Sequence, residues 1–255
     1  MEQTKMRIHD IMEICLLAGK IMLESGAETY RVEDTMVRMA AAFGVTESHS
    51  FATPTGIIFS VKNGHDEKTR LIRITERTTD LKKVAEVNTI SRKIADGSLS
   101  LADAYCALKN VESSRPAYPV YIKVMAAGLA SGCFLIIFQG MWRDFPPAFA
   151  AGAAGLACAI FFGRLVPIKF FSELIASVLV GLVAVFSIKT GWGTELDKII
   201  IGAVMPLVPG LLLTNAVRDL MAGHLMAGMS KGVEALLTAF AIGSGIALVI
   251  ALFVA

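Results

Sequence analysis

Beyond residue 119 the chain carries five long apolar runs, and runs of that length leave few folds open. Val124–Trp142, Phe145–Gly163, Ile199–Val217 and Ala235–Ala255 contain no Asp, Glu, Lys or Arg, and Phe170–Ile188 contains only Glu173, near its start. A helix crosses the hydrocarbon core of a bilayer with about 20 predominantly apolar residues. The expected fold is therefore an α-helical membrane protein with five transmembrane helices, the fourth interrupted by Pro206, Pro209 and Gly210. An odd number of spans places the two ends of the chain on opposite sides.

Charge divides the chain at the same point. Residues 1–119 hold 16 of the 24 Lys and Arg and 16 of the 22 Asp and Glu. They read as a small α+β domain, and residues 120–255 as the transmembrane domain. The split excludes a purely soluble enzyme, a disordered chain and a disulfide-stapled secreted module. A formal net charge of +2 without a basic block gives no footing for nucleic acid. Cys15, Cys106, Cys133 and Cys158 form no CxxC pair and read as reduced packing residues. Met1 to Ile14 alternates charged and apolar residues, so it does not read as a cleavable signal peptide, and the first domain is expected in the cytoplasm.

Within 1–119, apolar residues from Ile8 to Met22 recur at helical spacing until Ser25-Gly26. A second helix runs from Thr29 to Gly44, with Ala27-Glu28 opening it and Glu33-Asp34 in its early turns, an acidic bias suited to the helix dipole. His49–Val61, broken by Pro54 and Gly56, and Thr69–Ile74 predict two strands joined by an Asn63-Gly64 turn. Leu81–Ala95 and Leu101–Val111 predict two further helices, the last opened by Ser100 and Asp103 as a capping box. Pro116 and Pro119 mark the boundary.

Orientation follows from Lys and Arg in the short loops. Arg115, Lys123, Arg164, Lys169, Arg218 and Lys231 fall on the side of the N-terminal domain, against Arg143, Lys189 and Lys198 on the other. The bias puts residues 1–119 inside the cell, with the chain as a multi-pass protein of the inner (plasma) membrane. Gly128/Gly132 and Gly228/Gly232 are small residues four apart, a spacing that lets helices approach closely.

Met205-Pro-Leu-Val-Pro-Gly210 carries the most functional information. Two prolines and a glycine remove donors and break a helix, and irregular backbone at membrane depth survives only inside protein or beside an aqueous cavity. Broken helices build the substrate sites of many secondary transporters; a simple proline kink is the plain alternative. Asn215 shares a helix face with either Arg218 or Asp219, whereas Arg218 and Asp219 point about 100° apart. An amide, a guanidinium and a carboxylate together can hold a zwitterion or a carboxylate; a polar surface loop is the alternative. Glu173, Asp219 and Glu234 are the candidates for carrying a proton. In the N-terminal domain, Ser25, Gly26, Glu28, Thr29, Arg31 and Glu33 form one charged motif, and Thr55 and Gly56 belong to a strand bend whose hydroxyls could face a pocket. The four histidines have no metal-ligand spacing, and no nucleophile–base arrangement, Walker loop or dinucleotide fingerprint is present. No catalytic residue, metal or cofactor is expected.

Two separated stretches resemble the threonine/serine exporter family: Leu17-Ala-Gly with Ser25-Gly-Ala-Glu-Thr-Tyr-Arg-Val-Glu33, and Pro206-Leu-Val-Pro-Gly210 with Asn215, Arg218-Asp219, Gly228 and Glu234-Ala235. The resemblance covers essentially the whole chain in order. It implies a cytoplasmic N-terminal domain, sometimes described as hydrolase-like, and export of small polar metabolites driven by the proton gradient. Fused members carry about ten spans in one chain, so a chain of five resembles the large component of the split type, which works with a small all-membrane partner of the same family. Because split members are associated with succinate export, threonine or serine and a C4 dicarboxylate both stay open as substrates. The expected protein is thus a non-enzymatic subunit of an oligomeric secondary exporter. The alternatives are a membrane-tethered hydrolase, with Ser25, Glu28, Thr29, Arg31, Glu33 and Thr55 as its only candidates, and a metabolite sensor in which the N-terminal domain gates the membrane part.

Overall fold

The computed structural model describes residues 2–63, 66–114, 118–166, 168 and 170–253. They form two compact units. One joins Met1–Ala117 to Leu211–Gly232, and the other joins Tyr118–Gly210 to Val233–Ala255.

The first unit is built around α1 (Glu2–Glu24), whose Ile11, Met12, Ile14, Cys15, Leu16 and Met22 are all buried. A helix apolar on nearly every side becomes the centre of a core rather than its edge. Burial also pushes the Cys15 thiol up to about 12, which keeps it an inert packing group. Around it lie α2 (Thr29–Ala42), α3 (Leu81–Ala95) and α4 (Leu101–Ser113). The antiparallel sheet has the order β1-β2-β3, from Glu47–Thr53, Gly56–Asn63 and Asp66–Arg73. Ile57, Phe59 and Val61 alternate along β2 and are fully buried.

Three strands stand where the sequence predicted two. Pro54 cannot donate to a ladder and arrives with φ already restricted, so Thr53 and Gly56 pair across a two-residue loop. The Thr53 hydroxyl donates to the Gly56 carbonyl at 3.2 Å, closing that loop. β2 and β3 pair as expected, while the predicted turn at Gly64 lies outside the described residues. At α4 the Asp103 amide donates to the Ser100 hydroxyl, and that hydroxyl donates to the Asp103 carboxylate. The Asp side chain is shorter than Glu and meets the hydroxyl instead of the cap's backbone N–H.

The second unit contains α5 (Val120–Ile137), α6 (Phe145–Leu165), α7 (Phe171–Lys189) and α8 (Leu196–Val204). The first predicted run is shifted: α5 starts at Val120, and the chain leaves it through Gln139 at φ 63°. A Cβ on Gly128 would lie 2.9 Å from the Phe149 carbonyl, and one on Gly132 would lie 2.5 Å from the Phe145 ring. Gly128 lets α5 approach the backbone of α6, and Gly132 makes room for the Phe145 ring. Before α8, the fully buried Asp144 accepts hydrogen bonds from the Thr194 amide and hydroxyl, both at 2.7 Å, and from the Glu195 amide at 3.1 Å.

Among the described residues, four helices are long and apolar enough to cross a membrane. A bent pair, Leu196–Leu207 and Gly210–Met221, would make a fifth if counted as one span; its halves meet at 60°. The first half ends in a 3₁₀ turn at Met205–Leu207, and α9 (Gly210–Met221) follows. The last helix, α10 (Leu225–Phe253), begins ten residues before the predicted run and takes in Lys231 and Glu234.

Candidate functional site

The site lies entirely in the first unit, where the α1–α2 connection meets α9 and the start of α10. The connection is fixed by the end of α1. Gly26 adopts φ 87°, its amide donates to Leu23, and the Ala27 amide donates to Met22. This paired closure of a helix C-terminus uses the left-handed conformation glycine takes without strain. The chain turns sharply, so α2 starts only three residues later.

The first amides of α2 need an acceptor, and its own N-cap residue, Glu28, makes no side-chain capping bond. Asp219 supplies it from 190 residues away: its Oδ1 accepts from the Thr29 amide at 2.9 Å and the Tyr30 amide at 3.5 Å. A carboxylate there also meets the positive end of the α2 dipole. Glu28 stands at the N-cap of α2 and Glu33 and Asp34 in its second turn, where the sequence placed them, and none of them falls in the first turn itself.

Asp219 is placed by α9, whose buried residues are Asn215, Ala216 and Asp219. Of the two pairings open to Asn215, the structure adopts the one with Asp219. The Asn215 amide donates to the Gly26 carbonyl at 2.9 Å. α9 closes as α1 does: Gly223, at φ 87°, donates to Leu220, and the His224 amide donates to Asp219. α10 then returns against α9, so closely that a Cβ on Gly228 would lie 2.9 Å from the Ala216 carbonyl. That approach brings Lys231 to Asp219. Lys231 Nζ donates to Asp219 Oδ2 at 2.7 Å and to the Thr29 hydroxyl at 2.9 Å, and reaches the Ala27 carbonyl at 3.4 Å. Both side chains are almost completely withdrawn from solvent, at 4% and 0% exposure.

A second pair sits beside the first and is half open. Arg218 donates to Glu28 Oε1 at 2.6 Å with its side chain 62% exposed, while Glu28 is 7% exposed. Arg31 donates to the other oxygen at 3.1 Å. Burial pushes the Glu28 carboxyl up, but its own backbone N–H and the two guanidinium groups outweigh this and hold it below the usual carboxylate range. Glu33, next along α2, accepts from the Ala52 amide at 2.7 Å and lies 3.5 Å from His224 Nδ1. Its carboxyl is raised, burial being the main cause and Asp219 adding to it, against the opposing pull of the Ala52 amide and His224.

The two predicted motifs are thus brought together residue by residue: Gly26, Glu28 and Thr29 with Asn215, Arg218 and Asp219. Ser25 is buried in the same connection, with its carbonyl accepting from the Asp80 amide. Thr29 is fully buried and tied to a lysine already paired with Asp219, an anchoring role rather than a nucleophile's. Thr55 is exposed and, with Gly56, closes the β1–β2 loop. Pro206, Pro209, Gly210, Glu173 and Glu234 belong to the second unit. Pro206 lies in the 3₁₀ turn and Gly210 opens α9, while Glu173 accepts from the Ser172 hydroxyl at 2.8 Å. Among the described residues no group of His, Cys, Asp and Glu could hold a metal ion.

Two members of the site, Lys231 and His224, were not selected from the sequence. Lys231 carries weight in the sequence only through the loop charge balance, because a cation at the foot of an apolar run ordinarily reaches out to the membrane surface. Gly228, three residues before it, was the local sign that another helix packs there.

Comparison with known proteins covers nearly the whole chain. A family model described as "Putative threonine/serine exporter" matches residues 13–253. The "Probable succinate transporter subunit YjjP" of Klebsiella aerogenes is 24% identical over 244 residues, covering 93% of this chain and 92% of that protein. Its Escherichia coli counterpart is 23% identical, with 89% of each chain covered. The "Probable threonine/serine exporter" of Mycobacterium tuberculosis is 24% identical over 92% of this chain, which spans only 45% of that longer protein. No solved structure matches. With both motifs inside the matched region and nearly the full length aligned, this chain belongs to the threonine/serine exporter family.

Proposed function

We propose that the chain is a subunit of a proton-gradient-driven secondary exporter of threonine and serine or of a C4 dicarboxylate, working with a small membrane partner of the same family. In this reading the protein sits in the inner membrane with residues 1–119 in the cytoplasm. The observation that carries it is the Arg218–Glu28 pair: a solvent-reaching guanidinium held by a carboxylate. Arg matches a carboxylate with a fork of donors, so a substrate carboxylate competes with Glu28 for the same donors. The adjacent Asp219–Lys231 pair anchors the two segments while that exchange takes place. The partner is supported by the word "subunit" in the names of relatives that this chain covers almost completely. Pro206, Pro209 and Gly210 shape the break before α9, and Asp219, Glu173 and Glu234 are the carboxylates available for proton coupling.

The test is efflux of labelled threonine, serine and succinate from proteoliposomes under an imposed pH gradient, with and without the co-expressed partner. Gradient-dependent efflux of one class, lost in Arg218→Ala protein that still inserts and assembles, is the expected result. Normal efflux from that variant would remove Arg218 from the mechanism.

A further inference from the structure

A polar cavity in the first unit shares no residue with the site above. It measures about 170 Å³ and lies between α1, α4 and the edge strand β3. That is well below the roughly 300–1,000 Å³ of drug-sized pockets, and suits a metabolite of a few heavy atoms.

Its most informative residue is Arg70. In the sheet register Arg70 is directly opposite Phe59, and Ile72 is opposite Ile57. Opposed residues of an antiparallel pair share a face, and Phe59 and Ile57 are fully buried. Arg70 therefore stands on the same side of β3 as Ile72, and it lines the cavity while its side chain stays exposed to solvent. Among the described residues its guanidinium has no ion-pair or hydrogen-bond partner. Lys20 and Lys109, which also line the cavity, are already occupied, each donating to Glu112 at 2.8 Å. Glu13 of α1 also lines the cavity, and among the described residues it accepts from the Tyr105 hydroxyl alone, at 3.4 Å. The cavity thus offers one uncommitted cation and one nearly uncommitted anion, with Leu16 and Ile72 in its apolar lining. Charge on an edge strand can also serve to block strand addition, but that role needs neither a cavity nor an acidic residue in the same lining.

We propose that this cavity binds a small α-amino acid as its zwitterion, with the carboxylate on Arg70, the ammonium on Glu13 and a short side chain against Leu16 and Ile72. A dicarboxylate is disfavoured because its second charge would meet Glu13 and Glu112. The proposal does not depend on the transport reading, since binding here is separate from Arg218.

The test is equilibrium dialysis of the purified full chain with labelled L-threonine, competed by L-valine, isobutyrate and succinate. Arg70→Gln and Glu13→Gln are each expected to weaken binding about tenfold or more, the range for losing a hydrogen bond to a charged group. Arg218→Gln is expected to leave this class of sites intact, and L-valine to compete where isobutyrate, which lacks the ammonium, does not. Unchanged binding in Arg70→Gln protein that melts like wild type would overturn the proposal. Succinate competing as well as L-valine would overturn the zwitterion assignment. Increased self-association of Arg70→Gln with unchanged binding would assign Arg70 to edge protection alone.

Discussion

Each unit contains a fully buried aspartate that accepts the backbone amides of a segment leading into a helix, and the two are neutralised differently. Asp219 takes the first amides of α2 and is countered by the ammonium of Lys231. Asp144 takes the amides of Thr194 and Glu195 and the Thr194 hydroxyl, with no cation among its described partners. Hydrogen bonds alone can hold a buried carboxylate when enough of them converge. The lysine therefore does something besides satisfy Asp219: its further bonds to Thr29 and Ala27 tie α10 to the α1–α2 connection. One aspartate ends a loop, and the other joins three elements.

That contrast can be broken by mutation. Asp219→Asn leaves the Lys231 ammonium buried without its counter-charge, and breaking such a pair costs about 3–5 kcal/mol. The double variant Asp219→Asn/Lys231→Met is expected to regain most of that loss, because the orphaned charge is gone. Denaturant titration in mixed micelles measures both, and no recovery in the double variant would mean that the pair is not what anchors α10. Asp144→Asn strands no cation, and its expected cost is only about 1–3 kcal/mol, from weakened hydrogen bonds. A loss as large as that of Asp219→Asn would erase the distinction between the two sites.

Arg218→Ala sharpens the comparison from the other side. Its side chain is mostly exposed, and Glu28 retains Arg31, so the stability change should stay below about 1 kcal/mol in the same titration. The smallest effect is a pH dependence. Burial raises the Glu33 carboxyl above its ordinary 4.5, so the folded state takes up that proton more readily than the unfolded one. Glu33's contribution is thus fully present below about pH 4.5 and is lost as pH rises through its folded value. Glu33→Gln should flatten that decline in melts recorded from pH 4 to 8, and an unaltered slope would assign the decline elsewhere. Glu28 runs oppositely, contributing above the ordinary range and losing the contribution as pH falls through its lowered value.

Much of the first unit was legible because its signals are local. The helical periodicity from Ile8 to Met22, the stop at Gly26, and α3 and α4 all depend on residues a few positions apart. The hairpin at Pro54 was underread because a strand interrupted by proline and two strands joined by a tight loop share one composition. Both motifs of the site were visible, and so was the shared face of Asn215 and Asp219. Their meeting was not, since no local spacing records that a carboxylate in α9 will cap a helix 190 residues earlier. Lys231 stayed hidden because a cation near the end of an apolar run ordinarily reads as a surface anchor.

The grouping of Leu211–Gly232 with Met1–Ala117 also bears on the order in which the protein forms. The core around α1 is made of early residues and can collapse while synthesis continues. The start of α2 stays uncapped, and Glu28 lacks Arg218, until Asp219 and Lys231 have been made. Contacts of such sequence separation slow folding and lengthen the time for which intermediates persist. A nascent chain halted between residues 118 and 210 should therefore hold a collapsed but frayed first unit, with hydrogen exchange fastest at Thr29 and Tyr30.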